Sequence, residues 1–227
     1  MKVIKTIAEM RAYRSQLSEV ALVPTMGNLH AGHLTLVETA QQRSKHVIVS
    51  IFVNPIQFGP NEDFSSYPRT LAEDCAKLEA LGIDAVFAPN AEEMYPKGHQ
   101  SVRVVPSDIQ NELCGASREG HFNGVATVVT KLFNIVQPNI ACFGEKDFQQ
   151  LHIIKEMVEE LNMPIEIVPV AICREESGLA LSSRNGYLLP EEREKALTLS
   201  ECLSAMQQDL HQNPNTDLRV LELKATD

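Results

Sequence analysis

No stretch of this 227-residue sequence is apolar over the ~20 residues needed to span a bilayer. The opening MKVIKTIAEMRAYRSQL carries charges throughout and has no apolar segment ending in a small-residue cleavage site. The expectations are no membrane partner, no signal peptide and a cytoplasmic location. Cysteine is sparse: Cys75, Cys114, Cys142, Cys173 and Cys202 are odd in number, far apart and without a C-x-x-C pair. That excludes the usual zinc and dithiol redox frameworks and leaves reduced thiols, mostly core filler. Positive charge is also scarce. Lys and Arg number 20 against 30 Asp and Glu, a formal net charge of -10, which opposes a nucleic-acid backbone. Any anionic ligand must be met by a local cluster of donors. No internal repeat or low-complexity tract is present, while 44% hydrophobic and 22% charged residues are ordinary for a globular chain.

What is present is alternation. Short β-branched runs occur at 20 to 23 (VALV), 47 to 53 (VIVSIFV), 84 to 88 (DAVFA), 139 to 143 (NIACF) and 165 to 170 (IEIVPV). Between them, Leu71, Cys75, Leu78 and Leu81 mark one helical face, and Leu151, Ile154, Val158 and Leu161 another. Strands alternating with helices predict an α/β fold, a parallel sheet covered on both faces. Ligands of such sheets bind beyond the carboxyl ends of the strands where strand order reverses. A change in composition after Tyr187, where a charged helical segment begins with Pro190 near its first turn, places a domain boundary between 1–187 and 188–227.

The conspicuous polar motifs fall just after strands. In PTMGNLHAGH, Gly27 permits a tight turn, and His30 and His33 project from the first turn of a helix whose unpaired N–H groups favour anions. An isolated histidine at a helix start is usually a cap or a surface residue. Two around Gly32, which allows close approach of a base or phosphate, suit a nucleotide triphosphate. No third and fourth ligand at sensible spacing supports zinc. In FGEKDFQQ, Lys146 can neutralise terminal phosphates, Asp147 or the Gly144 backbone can accept from ribose hydroxyls, and Gln150 can face the crevice; Asp147 can equally be an N-cap. In LSSRN, Ser182 and Ser183 beside the Arg184 fork can close on a departing pyrophosphate, or form a solvated turn. The amides of Asn54, Gln57 and Gln150 fit substrate hydroxyls, and Tyr67 and Arg118 can grip a carboxylate. Val125, Val128 and Val129 are core residues first, and part of an apolar wall second.

Taken in order from Val20 to Leu189, these motifs resemble the pantothenate synthetase family within the nucleotidyltransferases of Rossmann-like fold. PTMGNLHAGH is similar to the HIGH-type motif, and LSSRN stands in the place of the KMSKS-type loop. The resemblance implies a Rossmann-like doubly wound parallel sheet with a small C-terminal domain, here incomplete, since family members usually continue into a small sheet that covers the site. It implies ATP along Pro24, Thr25, Met26, His30, Gly32, His33, Gly144, Asp147, Cys173 and Leu181, with phosphates on Lys146, Ser182, Ser183 and Arg184. Magnesium would be bound only through ATP phosphates, with no metal site on the protein itself. Pantoate is implied between Gln57 and Gln150, near Met26 and the Val125, Val128, Val129 face, and β-alanine at Asn54, Tyr67 and Arg118. Leu181 replaces the family's usual Met, nearly conserving volume. The implied activity is ATP-dependent ligation through a pantoyl adenylate, by a homodimer. Two rivals remain: a nucleotidyltransferase of the same superfamily that needs no amine, and a nucleotide-binding module that releases no pyrophosphate.

Overall fold

The computed structural model describes residues 1–226. Six strands form one sheet in the order β1-β4-β3-β2-β5-β6, every pairing parallel. They are β1 (Lys2–Ile4), β2 (Val20–Thr25), β3 (His46–Ile51), β4 (Ala85–Phe87), β5 (Ile140–Gly144) and β6 (Glu166–Val170). Among them run α1 (Ile7–Arg14), α2 (Ala31–Arg43), α3 (Leu71–Ala80), α4 (Ala91–Met94), α5 (Cys114–Ser117), α6 (His121–Val136) and α7 (Phe148–Glu160), while α8 (Pro190–Gln212) and α9 (Leu218–Thr226) follow the sheet.

The five strands expected from β-branched runs are all present. The sixth, β1, has three residues at the sheet edge and buries only Ile4, too little to leave a period in the sequence. Leu81 and Leu161, read as the last members of two apolar faces, are helix C-caps, and Leu161 is exposed.

Side-chain alternation along the strands sorts the core into two layers. Val20, Leu22, Ile48, Phe87 and Phe143 pack with Met10 of α1 and the buried stripes of α6 and α7. Ala21, Val23, Val47, Val49, Val86 and Cys142 pack with Val37 and Ala40 of α2 and Leu78 of α3. Helices on both faces make the sheet doubly wound, and burial on both sides is why its central strands read as unbroken apolar runs. α6 is buried almost all round and is closed at both ends by left-handed residues, Gly120 and Gln137. α1 is started by a capping box, in which Thr6 Oγ1 accepts from the Glu9 N–H at 3.2 Å and the Glu9 carboxylate accepts from the Thr6 N–H at 3.3 Å.

The chain divides into two compact units, the first ending at Ile172 and the second starting at Cys173. The sequence placed this division after Tyr187. The intervening residues belong with α8 because they fold back as a hairpin upon it: Arg174 bridges Ala180, Glu175 pairs with Arg193 of α8 at 3.2 Å, and Gly178 lies close to Ser200. A shift in composition marks where a helix begins but not what packs against it.

Candidate active site

β2 is where strand order reverses, with β3 on one side and β5 on the other. The β2–β5 ladder carries only Ala21↔Ile140 and Leu22↔Ala141, so both strands run on past their pairing and leave a crevice between their carboxyl ends. Three of the polar motifs leave strands at that end of the sheet: residues 26–33 after β2, 54–58 after β3 and 145–150 after β5.

The turn after β2 is held from α3. Gly27 and Asn28 take positive φ (86° and 50°), and a Cβ at Gly27 would lie 3.1 Å from Asp74 Oδ2 and from Ile51 Cγ2. Asp74, fully buried, accepts from the Asn28 N–H at 2.9 Å, the Leu29 N–H at 2.7 Å and the Thr70 hydroxyl at 3.1 Å. A buried carboxylate is tolerated because these three donors satisfy it. Lys77, one turn along α3, donates Nζ to the Leu29 carbonyl at 2.7 Å. Thr25 Oγ1 completes the clamp, donating to the Ser50 carbonyl at 2.8 Å and accepting from the Gly27 N–H at 3.2 Å. Asp74 and Lys77 were not among the expected site residues. The available signal was a carboxylate three residues after Leu71 and four before Leu78, on a stripe that otherwise faces the core.

His30 is the N-cap of α2 and His33 follows one turn later, with ring centroids 4.0 Å apart. The His33 Nδ1 accepts from the His30 N–H at 3.3 Å, so the neutral ring carries its proton on Nε2. Burial, reinforced by His30, Lys146 and Lys77, pushes His33 down to about 3; burial first and the same two lysines also lower His30. Both imidazoles are therefore neutral near pH 7. His30 Nδ1 is buried without a hydrogen-bond partner among the described residues. Lys146, on the 3₁₀ turn after β5, is near enough to act on both rings, and its Nζ lies 3.3 Å from Asp147 Oδ1. The β2 and β5 turns thus bring His30, His33 and Lys146 together, with Lys77 acting on the same rings from α3.

The turn after β3 sits against α6, where Gly124 makes the approach possible: a Cβ there would fall 2.4 Å from the Ile56 carbonyl oxygen and 2.6 Å from Gln57 Cα. Gln57 donates Nε2 to Met26 Sδ at 3.2 Å, a weak acceptor that a better one displaces readily. Asn54 is buried with its amide bonded to Gln57, Gly124 and Tyr95. Arg118 grips Glu62 bidentately, Nε to Oε1 at 2.7 Å and Nη2 to Oε2 at 2.8 Å, and this holds the Glu62 carboxyl below its usual range. Tyr67 is buried edge-on to Phe58. The three side chains expected to meet β-alanine are thus all engaged with the protein. Gln150 is half-buried and has no hydrogen bond to the protein among the described residues, whereas Gln149, which the sequence passed over, is spent on the Cys114 N–H and the Ile109 and Glu112 carbonyls. Val125, Val128 and Val129 lie in the core layer of α6.

Within the second unit, the Leu181 N–H donates to the Cys173 carbonyl at 3.0 Å, placing those two residues opposite each other at the base of the hairpin. Ser182 Oγ accepts from the Arg184 N–H at 3.2 Å, so Ser182, Ser183 and Arg184 occupy one tight turn ahead of Asn185–Tyr187. Among the described residues, no group of three or more His, Cys, Asp or Glu is placed to hold a metal ion.

Residues 2–226 match the family described as pantoate-beta-alanine ligase. Pantothenate synthetase of Chromobacterium violaceum is 59% identical over 227 residues, covering 100% of this chain and 82% of that protein, and that of Idiomarina loihiensis is 55% identical over 226 residues, covering 99% and 80%. A crystal structure of the Thermus thermophilus enzyme superposes with a TM-score of 0.92 at 49% identity, covering 99% of this chain and 82% of that one. Pantoate-beta-alanine ligase from Francisella tularensis, complexed with beta-gamma ATP and beta-alanine, superposes with a TM-score of 0.81 at 38% identity, covering 100% and 85%.

Proposed function

The chain belongs to the pantoate-beta-alanine ligase family, and from that premise we propose that it joins pantoate to β-alanine in two steps through a pantoyl adenylate. It is an enzyme that consumes ATP. In the first step a pantoate carboxylate oxygen attacks the α-phosphorus, the bond from that phosphorus to the bridging oxygen breaks, and pyrophosphate leaves. In the second the uncharged amine of β-alanine attacks the acyl carbon, the C–O bond to AMP breaks with its electron pair going to AMP, and the new amide nitrogen releases a proton.

Neither step needs a covalent bond to the protein, so catalysis reduces to positioning and electrostatic stabilisation. Neutral His33 offers its Nε2–H, and His30 its unsatisfied ring, to phosphate oxygens as charge shifts toward pyrophosphate. Lys146 supplies formal positive charge from the β5 side. ATP is assigned to Pro24, Thr25, Met26, Gly32, Gly144 and Asp147, with magnesium carried on its phosphates; Cys173, Leu181, Ser182, Ser183 and Arg184 are assigned to ATP on the family resemblance. Gln57 and Gln150 are assigned to pantoate beside Met26, and Asn54, Tyr67 and Arg118 to the β-alanine side. The observation that carries the reading is the convergence of His30, His33 and Lys146 at the strand-order reversal, with His30 Nδ1 lacking a partner among the described residues. The reading extends to a cytoplasmic homodimer whose partners are small molecules, neither nucleic acid nor membrane.

The test is pyrophosphate release from ATP with and without pantoate and β-alanine. Release that depends on pantoate, with amide and AMP formed once β-alanine is added, is the expected result. A nucleotide conjugate as end product, or ATP binding with no release, would overturn it.

A further inference from the structure

A chain of buried polar groups aims the amide of Gln57. The Tyr95 hydroxyl donates to Asn54 Oδ1 at 2.7 Å, and Asn54 Nδ2 donates to Gln57 Oε1 at 3.0 Å and to the Gly124 carbonyl at 3.2 Å. Tyr95, Asn54 and Gln57 are 4%, 1% and 8% exposed, so no water is at hand to replace a lost bond. Burial raises the Tyr95 phenol well above its ordinary range, which keeps it protonated. The Tyr95 hydroxyl donates to Oδ1 while the Gly124 carbonyl, which can only accept, takes Nδ2, and together they fix the Asn54 amide. Nδ2 must then face Gln57, whose Oε1 becomes the acceptor and whose Nε2 is left to point at Met26 Sδ. Each link sets the polarity of the next.

We propose that Tyr95 is a positioning residue that holds the Gln57 amide with its N–H groups toward pantoate, so that the site selects a substrate oxygen able to accept. The proposal rests on the assignment of Gln57 to pantoate above. An inverted Gln57 would present Oε1 instead, repelling a carboxylate and accepting only from a hydroxyl. The Tyr95 ring also packs against Phe52 and beneath Lys131 Nζ, contacts that phenylalanine keeps, so Tyr95→Phe removes the donor alone.

The experiment is steady-state kinetics on Tyr95→Phe, Gln57→Leu and the double variant, each checked for folding by circular dichroism. Tyr95→Phe should raise the KM for pantoate roughly three- to tenfold, the scale of one misdirected neutral hydrogen bond, while the KM for ATP stays within about twofold. The double variant should be no worse than Gln57→Leu, because Tyr95 acts through Gln57. A pantoate KM raised in Gln57→Leu but unmoved in Tyr95→Phe overturns the relay and leaves the assignment of Gln57 standing. A pantoate KM unmoved in Gln57→Leu removes both. Equal rises for ATP and pantoate, or additive effects in the double variant, mark a merely structural tyrosine and also overturn the proposal. If Tyr95→Phe does not fold, Asn54→Leu cuts the same chain one link later and must give the same pantoate-selective rise; its failure to do so counts against the relay equally.

Discussion

Replacing Asp74 by asparagine asks whether the turn carrying His30 owes its shape to α3. The carboxylate accepts from the Asn28 and Leu29 N–H groups and the Thr70 hydroxyl while fully buried. Asparagine keeps one acceptor oxygen and sets an NH₂ where the other stood, so one backbone N–H faces a donor. Losing a charge-assisted bond and stranding a buried N–H costs about 2 to 4 kcal/mol. At roughly 2 to 4 °C per kcal/mol for a chain of this size, the melting temperature should fall by about 5 to 15 °C. The relaxed turn also displaces His30, which follows Leu29 directly, and a shift of ~1 Å in a catalytic group can cost ~10²-fold in rate. Pantoate-dependent pyrophosphate release should therefore drop at least about tenfold at temperatures where the variant is still folded. Thermal unfolding by circular dichroism and a pyrophosphate assay read the two effects separately. A variant that melts within about 2 °C of wild type and releases pyrophosphate at the wild-type rate would refute the reasoning.

His30→Ala and His33→Ala should each lower pyrophosphate release by a factor on the order of 10² or more with little change in folding, since each removes a donor aimed at developing charge; near wild-type rates in both folded variants would sink that assignment. Gln150→Leu should weaken pantoate by about 1 to 3 kcal/mol, roughly five- to over a hundredfold, and ATP hardly at all; equal losses in calorimetric titrations would rule out its placement. His33 also makes stability depend on pH. Its ordinary value of 6.5 drops to about 3 in the fold, so below about pH 6.5 the unfolded chain binds a proton that the folded one does not. The contribution is fully present above that pH and is lost on acidification at up to about 1.4 kcal/mol per pH unit. Urea unfolding at pH 7 and pH 5 should show a smaller loss in His33→Asn than in wild type, and equal losses would contradict the burial argument.

The central strands were legible because residues buried on both faces of a parallel sheet leave unbroken β-branched runs, and the three motifs after β2, β3 and β5 were legible because they interrupt those runs with polar residues. Single side chains that arrive from elsewhere in sequence were not. Asp74 lies 46 positions from Asn28, Tyr95 lies 41 from Asn54, and only the folded chain brings them together. Gln149 and Gln150 are adjacent and chemically identical; helix phase decides that one holds the segment before α5 while the other is left without a protein partner among the described residues. Arg118 looked like a free carboxylate fork because Glu62, its partner, sits 56 residues away.

Under the proposed assignment, a chain of net charge -10 would hold a triphosphate by where its positive charge is kept. Four cations packed into one crevice would repel each other strongly before the ligand arrives, and each buried charge would carry its own desolvation cost. Here the formal charge acting on the two rings comes from Lys146 and Lys77, while the two more buried groups, His30 and His33, are kept neutral by burial and by those same lysines. On that assignment the imidazoles serve as hydrogen-bond donors and the lysines as charge, which preorganises the site without an uncompensated cation in its interior. A bound polyphosphate reverses the balance: its negative charge favours protonated imidazole and raises both histidines toward the physiological range. Proton uptake on ATP binding, measured as a dependence of binding enthalpy on buffer ionisation, should therefore be positive in wild type and smaller in His33→Ala, and a value of zero in wild type would show that the rings stay neutral throughout.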